Sequence, residues 1–190
     1  MGTMLQLWDA NFSACAPIGS QLRIAFPERW VRFHYLPGSK RYADTETDIA
    51  TALHRYGAVL DDVNQSRQAV VLVTTGYSSS NRPTRSYPTL AEIDGTAVPW
   101  RTMQMEDAGQ DSSFWHFYAS NHAWKPVHLN TLLRLVIDDE LANLSIVAED
   151  CSWVFCPYQG GMDVILANVK RRNELVQKHA AWIPASADRL

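Results

Sequence analysis

The stretch PYQGGMDVIL, residues 157–166, decides how the chain is read. Two adjacent glycines, Gly160 and Gly161, stand between Trp153-Val154-Phe155 and Met162-Asp163-Val164-Ile165-Leu166, both rich in aromatic or branched side chains. Glycine reaches positive φ without steric cost, so the pattern predicts a sharp reversal between two adjacent antiparallel strands. A phosphate cradle would need its glycines to lead into a helix with Lys, Ser or Thr behind them, whereas here a strand follows. Nucleotide binding by this loop is thereby excluded. Asp163 then falls at the edge of the core, where an unpaired buried charge is costly. Its expected partner is a backbone amide of the turn or Arg32 on a neighbouring strand; the alternative is an acid presented at the sheet edge to a ligand or a protein.

Working outward, Ser145-Ile146-Val147-Ala148 and Ser152-Trp153-Val154-Phe155 read as strands joined by the polar tip Glu149-Asp150, and a helix runs from Val169 to Trp182 before Pro184. Residues 29–36 alternate basic or imidazole side chains with apolar ones, a strand with one buried face, stopped by Pro37-Gly38. From Asp44-Thr45-Glu46 onward, Ile49, Leu53, Tyr56, Val59, Leu60 and Val63 recur at three- and four-residue steps, which predicts an amphipathic helix capped by Asp44 or Thr45. Ala69 to Thr75 is a β-branched run ended by Gly76, a central strand buried on both faces. Residues 77–89 are rich in Ser, Asn, Arg and Pro and read as a mobile surface loop. Residues 100–106 and 114–119 pair as a hairpin around 107–111, and a helix over 130–140 is capped by Asn130. The sum is an α+β fold, a single mainly antiparallel sheet with two or three helices packed on it, in one domain over residues 1–190.

With 190 residues, 46% hydrophobic and 19% charged, the chain can bury one substantial core. Its net charge of −3 opposes nucleic-acid binding, which depends on clustered Lys and Arg. The run Lys170-Arg171-Arg172 reads as a solvated helix face. Three cysteines, Cys15, Cys151 and Cys156, in a chain without a basic-then-apolar leader indicate neither disulfides nor secretion, so a cytoplasmic location and buried structural thiols are expected. No apolar run approaches the ~20 residues that span a bilayer, so no membrane partner is expected. The six histidines, His34, His54, His116, His122, His128 and His179, lack metal-ligand spacing, and no Gly-x-Ser-x-Gly elbow occurs. Neither metal nor cofactor is expected. A thiolate pair of Cys156 with His179 requires the fold to bring them together.

The tail resembles DUF3885, a bacterial family defined as a domain of unknown function. The likeness rests on Trp153-Val154-Phe155, then Tyr158-Gln159-Gly160-Gly161-Met162-Asp163-Val164-Ile165, then the helix through Leu175 and His179 to Trp182-Ile183. A second block, Val31-Arg32-Phe33-His34 with the helix around 46–63, is similar to the family's Arg-Phe strand and following helix. The resemblance implies a structural motif of Arg32, Tyr158, Gly160, Gly161 and Asp163. It carries no established chemistry; by analogy it implies a link to toxin–immunity loci.

Function is expected in the middle of the chain. Trp100, Trp115 and Trp124, with the acids Asp107, Asp111, Asp138, Asp139 and Glu140, would suit a basic protein partner such as a toxin domain, aromatics holding the complex and acids speeding encounter. The acidic end of the 130–140 helix opposes the helix dipole, a local cost that points to another use for those acids. The leading expectation is a cytoplasmic bacterial protein-binding module, an immunity-type inhibitor or regulator acting by occlusion. The alternative is a small enzyme acting on a polar metabolite, with Asp163 as acid or base and His34, His116 or His179 assisting. A structural or homo-oligomeric module is the third reading.

Overall fold

The computed structural model describes residues 2–13, 15–83, 94–105 and 113–184. Its strands are β1 (Trp30–His34), β2 (Val70–Ser78), β3 (Val98–Met105), β4 (Ser113–His122), β5 (Ser145–Ala148), β6 (Trp153–Tyr158) and β7 (Gly161–Leu166). All seven form one antiparallel sheet in the order β1-β7-β6-β5-β2-β4-β3. The helices are α1 (Gly2–Phe12), α2 (Gly19–Ala25), α3 (Glu46–Val63), α4 (Pro126–Ile137) and α5 (Val169–Lys178).

Side-chain alternation sorts the sheet into two faces. Phe33, Leu72, Ile146, Phe155, Met162 and Val164 pack against α3, α4 and α5. The intervening Trp30, Val71, Val73, Val147, Val154 and Ile165 pack against Trp8, Phe12 and Leu22 of α1 and α2. With cover on both faces, the whole run from Val70 to Gly76 in β2 is buried. The α+β reading and its antiparallel sheet hold. The extra helices are α1 and α2; Met4, Trp8 and Phe12, all buried and spaced by four, carry the signal for α1.

Local chemistry sets the boundaries. Thr45 caps α3 in a reciprocal box: its hydroxyl accepts from the Asp48 amide while Asp48 accepts from the Thr45 amide, each at 3.1 Å. Strand β2 continues through Gly76 to Ser78, so Tyr77 and Ser78 belong to the sheet rather than to the expected loop over 77–89. Residues 84–93 of that loop, and the expected turn at 107–111 with Asp107 and Asp111, lie outside the described residues. Helix α4 starts at Pro126, earlier than expected, and Asn130 lies inside it. Proline at the first helical turn lacks only an N–H that would be unbonded there, and its fixed φ suits the helix, so it opens α4 in place of the Asn130 cap. At the other end Asp139 takes φ 60°, and the amides of Glu140 and Leu141 close on the Leu135 carbonyl at 2.8 and 3.1 Å.

The double glycine does separate work at each position. Tyr158 faces Gly161 across the hairpin, leaving Gln159-Gly160 as a two-residue turn in which Gly160 adopts φ 113°. Gly161 is required by close approach, because a Cβ there would lie inside van der Waals contact of the Phe33 carbonyl oxygen on β1. From α3, the Tyr56 hydroxyl donates to the carbonyls of Tyr158 and Gly161 at 2.8 and 3.1 Å, pinning the turn to the helical layer.

Candidate functional site

Antiparallel register sets Arg32 on β1 directly opposite Asp163 on β7. Arg32 Nε donates to Asp163 Oδ1 and Nη2 to Oδ2, both at 2.8 Å, and Trp30 Nε1 donates to Oδ1 at 2.9 Å. The side chains are 11% and 4% exposed. Two parallel guanidinium bonds plus an indole bond supply what a buried carboxylate requires. Burial works against the Arg32 charge, but the hydrogen bonds and charge of Asp163 outweigh it and raise its pKa above the ordinary value. The guanidinium also lies 4.9 Å from the Tyr158 ring centroid and 5.6 Å from that of Trp30. Burial, followed by the Asp163 charge, pushes the Tyr158 hydroxyl well up, so it stays protonated. Tyr158 and Asp163 thus meet around Arg32, with the Gln159-Gly160 turn and Gly161 beside them. Trp30 completes this centre; strand alternation over 29–36 marks it only as an apolar position, and nothing in its spacing marks its indole as a second donor.

On the far side of Asp163 in the sheet stands Cys156, buried, its thiol pushed up to about 12 by desolvation and sharing a hydrogen bond with Ser145 Oγ at 3.3 Å. Cys151 is raised to about 11 by burial and Asp150. Both are protonated thiols without nucleophilic character near neutrality. His179 packs on Phe33 on the other face and its Nε2 lies 2.7 Å from Asp62 Oδ2, so the pair with Cys156 does not form.

The histidines named as assistants to Asp163 lie in other bonds. His116, 0% exposed on β4, shares hydrogen bonds with Thr102 Oγ1 through Nδ1 (2.9 Å) and with Ser78 Oγ through Nε2 (2.7 Å). Strand β4 is four places from β7, about 19 Å at the usual strand spacing. His34 is two residues from Arg32, and burial lowers its pKa. A further cluster joins Asp94, Ser120 and His122: Ser120 donates to Asp94, and His122 Nε2 is 2.9 Å from Ser120 Oγ and 3.1 Å from Asp94 Oδ2. Serine and carboxylate meet the same ring nitrogen, so the relay of a hydrolytic triad, with one on each nitrogen, is absent from it. Ser120 and His122 lie two apart on β4, and Asp94 comes from the segment before β3.

The expected aromatic and acidic surface is divided. Trp100 sits edge-on to Trp8 at 5.5 Å and Trp115 edge-on to Tyr77 at 4.7 Å, both on the face covered by α1 and α2. Trp124 packs on the opposite cluster. Beyond α4, Asp138 accepts from Arg134 Nε at 2.7 Å, Arg134 also reaches Glu46, and Asp139 and Glu140 form the turn that ends the helix. Local bonding therefore accounts for Asp138.

Among the described residues, no group of three or more His, Cys, Asp or Glu could hold a metal ion, and no helix is long and apolar enough to cross a membrane. A family model described as "Domain of unknown function (DUF3885)" matches residues 18–186. The chain belongs to DUF3885. The match extends the likeness beyond the two blocks legible in the sequence, through the whole middle of the chain, and begins after α1. No curated protein and no solved structure matches this DUF3885 chain.

Proposed function

We propose that this DUF3885 chain is a cytoplasmic bacterial protein-binding module, an inhibitor or regulator of the immunity type that occludes a partner protein. The observation that carries the reading is a cross-strand row at one end of the sheet. Tyr77 on β2 faces Trp115 on β4, which faces Met103 on β3, and all three remain partly exposed. Trp100 is partly exposed on the same face, and β3 is an edge strand carrying Val98 at 41% exposure. Rigid aromatic side chains and a Met on a sheet supply large contact area at small entropic cost, the makings of a binding hot spot. A basic partner domain remains the preferred occupant, but Asp138 is already paired, so the aromatic row rather than the acids supports the reading. Against the enzymatic alternative stands the bonding of Asp163, whose two oxygens are committed to Arg32 and Trp30 and leave it poorly suited to exchange protons with a metabolite.

The test is affinity capture from the native host followed by titration calorimetry with the recovered partner. Trp115→Ala is expected to weaken binding roughly 30-fold, the scale of a hot-spot aromatic, while its circular dichroism stays that of the wild type. Failure to recover a stoichiometric partner, or full affinity in the variant, would refute the proposal.

A further inference from the structure

Beside the Arg32–Asp163 pair opens a cleft of about 200 Å³ whose lining includes Ser20 and Arg23 of α2, Asn143, Tyr158 and the pair itself. Its charges do not balance. Asp163 is engaged by Arg32, whereas Arg23 makes no ion pair among the described residues. What holds Arg23 is the Trp30 ring, 5.7 Å from its guanidinium carbon, and Trp30 is itself fixed by its bond to Asp163. Among the described residues, one guanidinium at this cleft, that of Arg23, thus stands without a carboxylate on it. Around that charge stand groups able to donate: the exposed Ser20 hydroxyl and the Tyr158 hydroxyl, which burial keeps protonated. The volume lies below the ~300 Å³ at which pockets for drug-sized ligands begin, which selects a small ligand.

We infer that this cleft binds a small oxyanion, a carboxylate or a phosphate, with Arg23 as its counter-charge and Ser20 and Tyr158 as hydrogen-bond donors. A planar guanidinium meets either group through two parallel bonds, and one held against an aromatic ring loses little further freedom on binding. The cleft touches the aromatic row through one bond, in which Asn143 Nδ2 donates to the Tyr77 hydroxyl, but Arg23, Ser20 and Tyr158 are not part of that row, so the anion titration is read independently of the proposed partner.

The experiment titrates the full chain with sodium phosphate and, separately, sodium acetate, reading tryptophan fluorescence and the thermal midpoint against sodium chloride at equal ionic strength. The expected result is a saturable change with at least one of the two oxyanions, weakened about tenfold or more in Arg23→Gln and several-fold in Tyr158→Phe. The stronger ligand tells a phosphate site from a carboxylate site. Arg23→Lys, which keeps the charge, is expected to retain part of the affinity and covers the case in which Arg23→Gln is unstable. A response no different from chloride, or one unchanged in both Arg23 variants, overturns the inference.

Discussion

Near the β1 edge of the sheet the buried polar group is an ion, Asp163, and the group that answers it is another ion, Arg32. In β4, four strands from β7, the buried group is an imidazole, His116, held between the hydroxyls of Ser78 and Thr102. The two centres are comparably secluded and differ in what they demand. A carboxylate in a fork of N–H donors has one good geometry, and removing either partner strands a charge in low dielectric. Hydroxyls rotate and can donate or accept, so the imidazole network can rearrange around a loss. Ser78 already has such an outlet, since its hydroxyl lies 2.8 Å from the Ser80 carbonyl. The ion pair fixes the register of β1 on β7; the hydroxyl network fills the interior beside β2 and β3 without fixing a register so tightly.

The largest effect tests the ion pair. Asp163→Ala is expected to cost about 3–5 kcal/mol in urea unfolding, because it leaves Arg32 charged and unpaired and the Trp30 N–H without its acceptor. Replacing both partners, as Arg32→Met with Asp163→Leu, should recover most of that loss. Additive losses in the double variant would break the contrast. His116→Leu is expected to cost roughly 1–2 kcal/mol, the scale of a lost neutral hydrogen bond where one of the two hydroxyls, Ser78, keeps the Ser80 carbonyl. A loss equal to that of Asp163→Ala would mean that the two centres are equally rigid. The smallest effect belongs to Asp94. Burial raises its pKa, but hydrogen bonds from Ser120, Thr96 and His122 outweigh burial and leave it below the ordinary value. A depressed folded-state pKa adds stability that is present above the unfolded value near pH 4 and is lost as pH falls through the lower folded value. Asp94→Asn should therefore flatten the acid limb of the stability profile below about pH 4 while leaving its neutral limb parallel to the wild type. An unchanged acid limb would remove Asp94 from the account.

What was legible follows from how local each signal is. The capping box at Thr45 and the apolar steps through Val63 described α3 closely, since both act within one or two turns. The glycine pair located the β6–β7 reversal for the same reason. Helix α1 escaped because its apolar positions, Met4, Trp8 and Phe12, mark one face of only eleven residues. In the candidate site, Asp163 was expected to need a partner, but the choice between a turn amide and Arg32 waited on which strand lay beside β7. The surface expected for Trp100, Trp115 and Trp124 is split, because Trp124 lies past the end of β4 at His122, where no strand alternation reaches it, and packs on the opposite cluster from the other two. A register shift between Pro99 and Arg101 further resets the alternation at Trp100.

The chain's own residues determined most of its elements, its antiparallel α+β character and the need to neutralise Asp163, because periodicity, capping and the cost of a buried charge operate over a few residues. Only the tertiary structure decided that Arg32 and Trp30, more than 130 positions away, would neutralise it, and that Arg23 would be left facing the cleft. Strand order and register depend on which distant surfaces pack best together, and that competition is settled across the whole core at once.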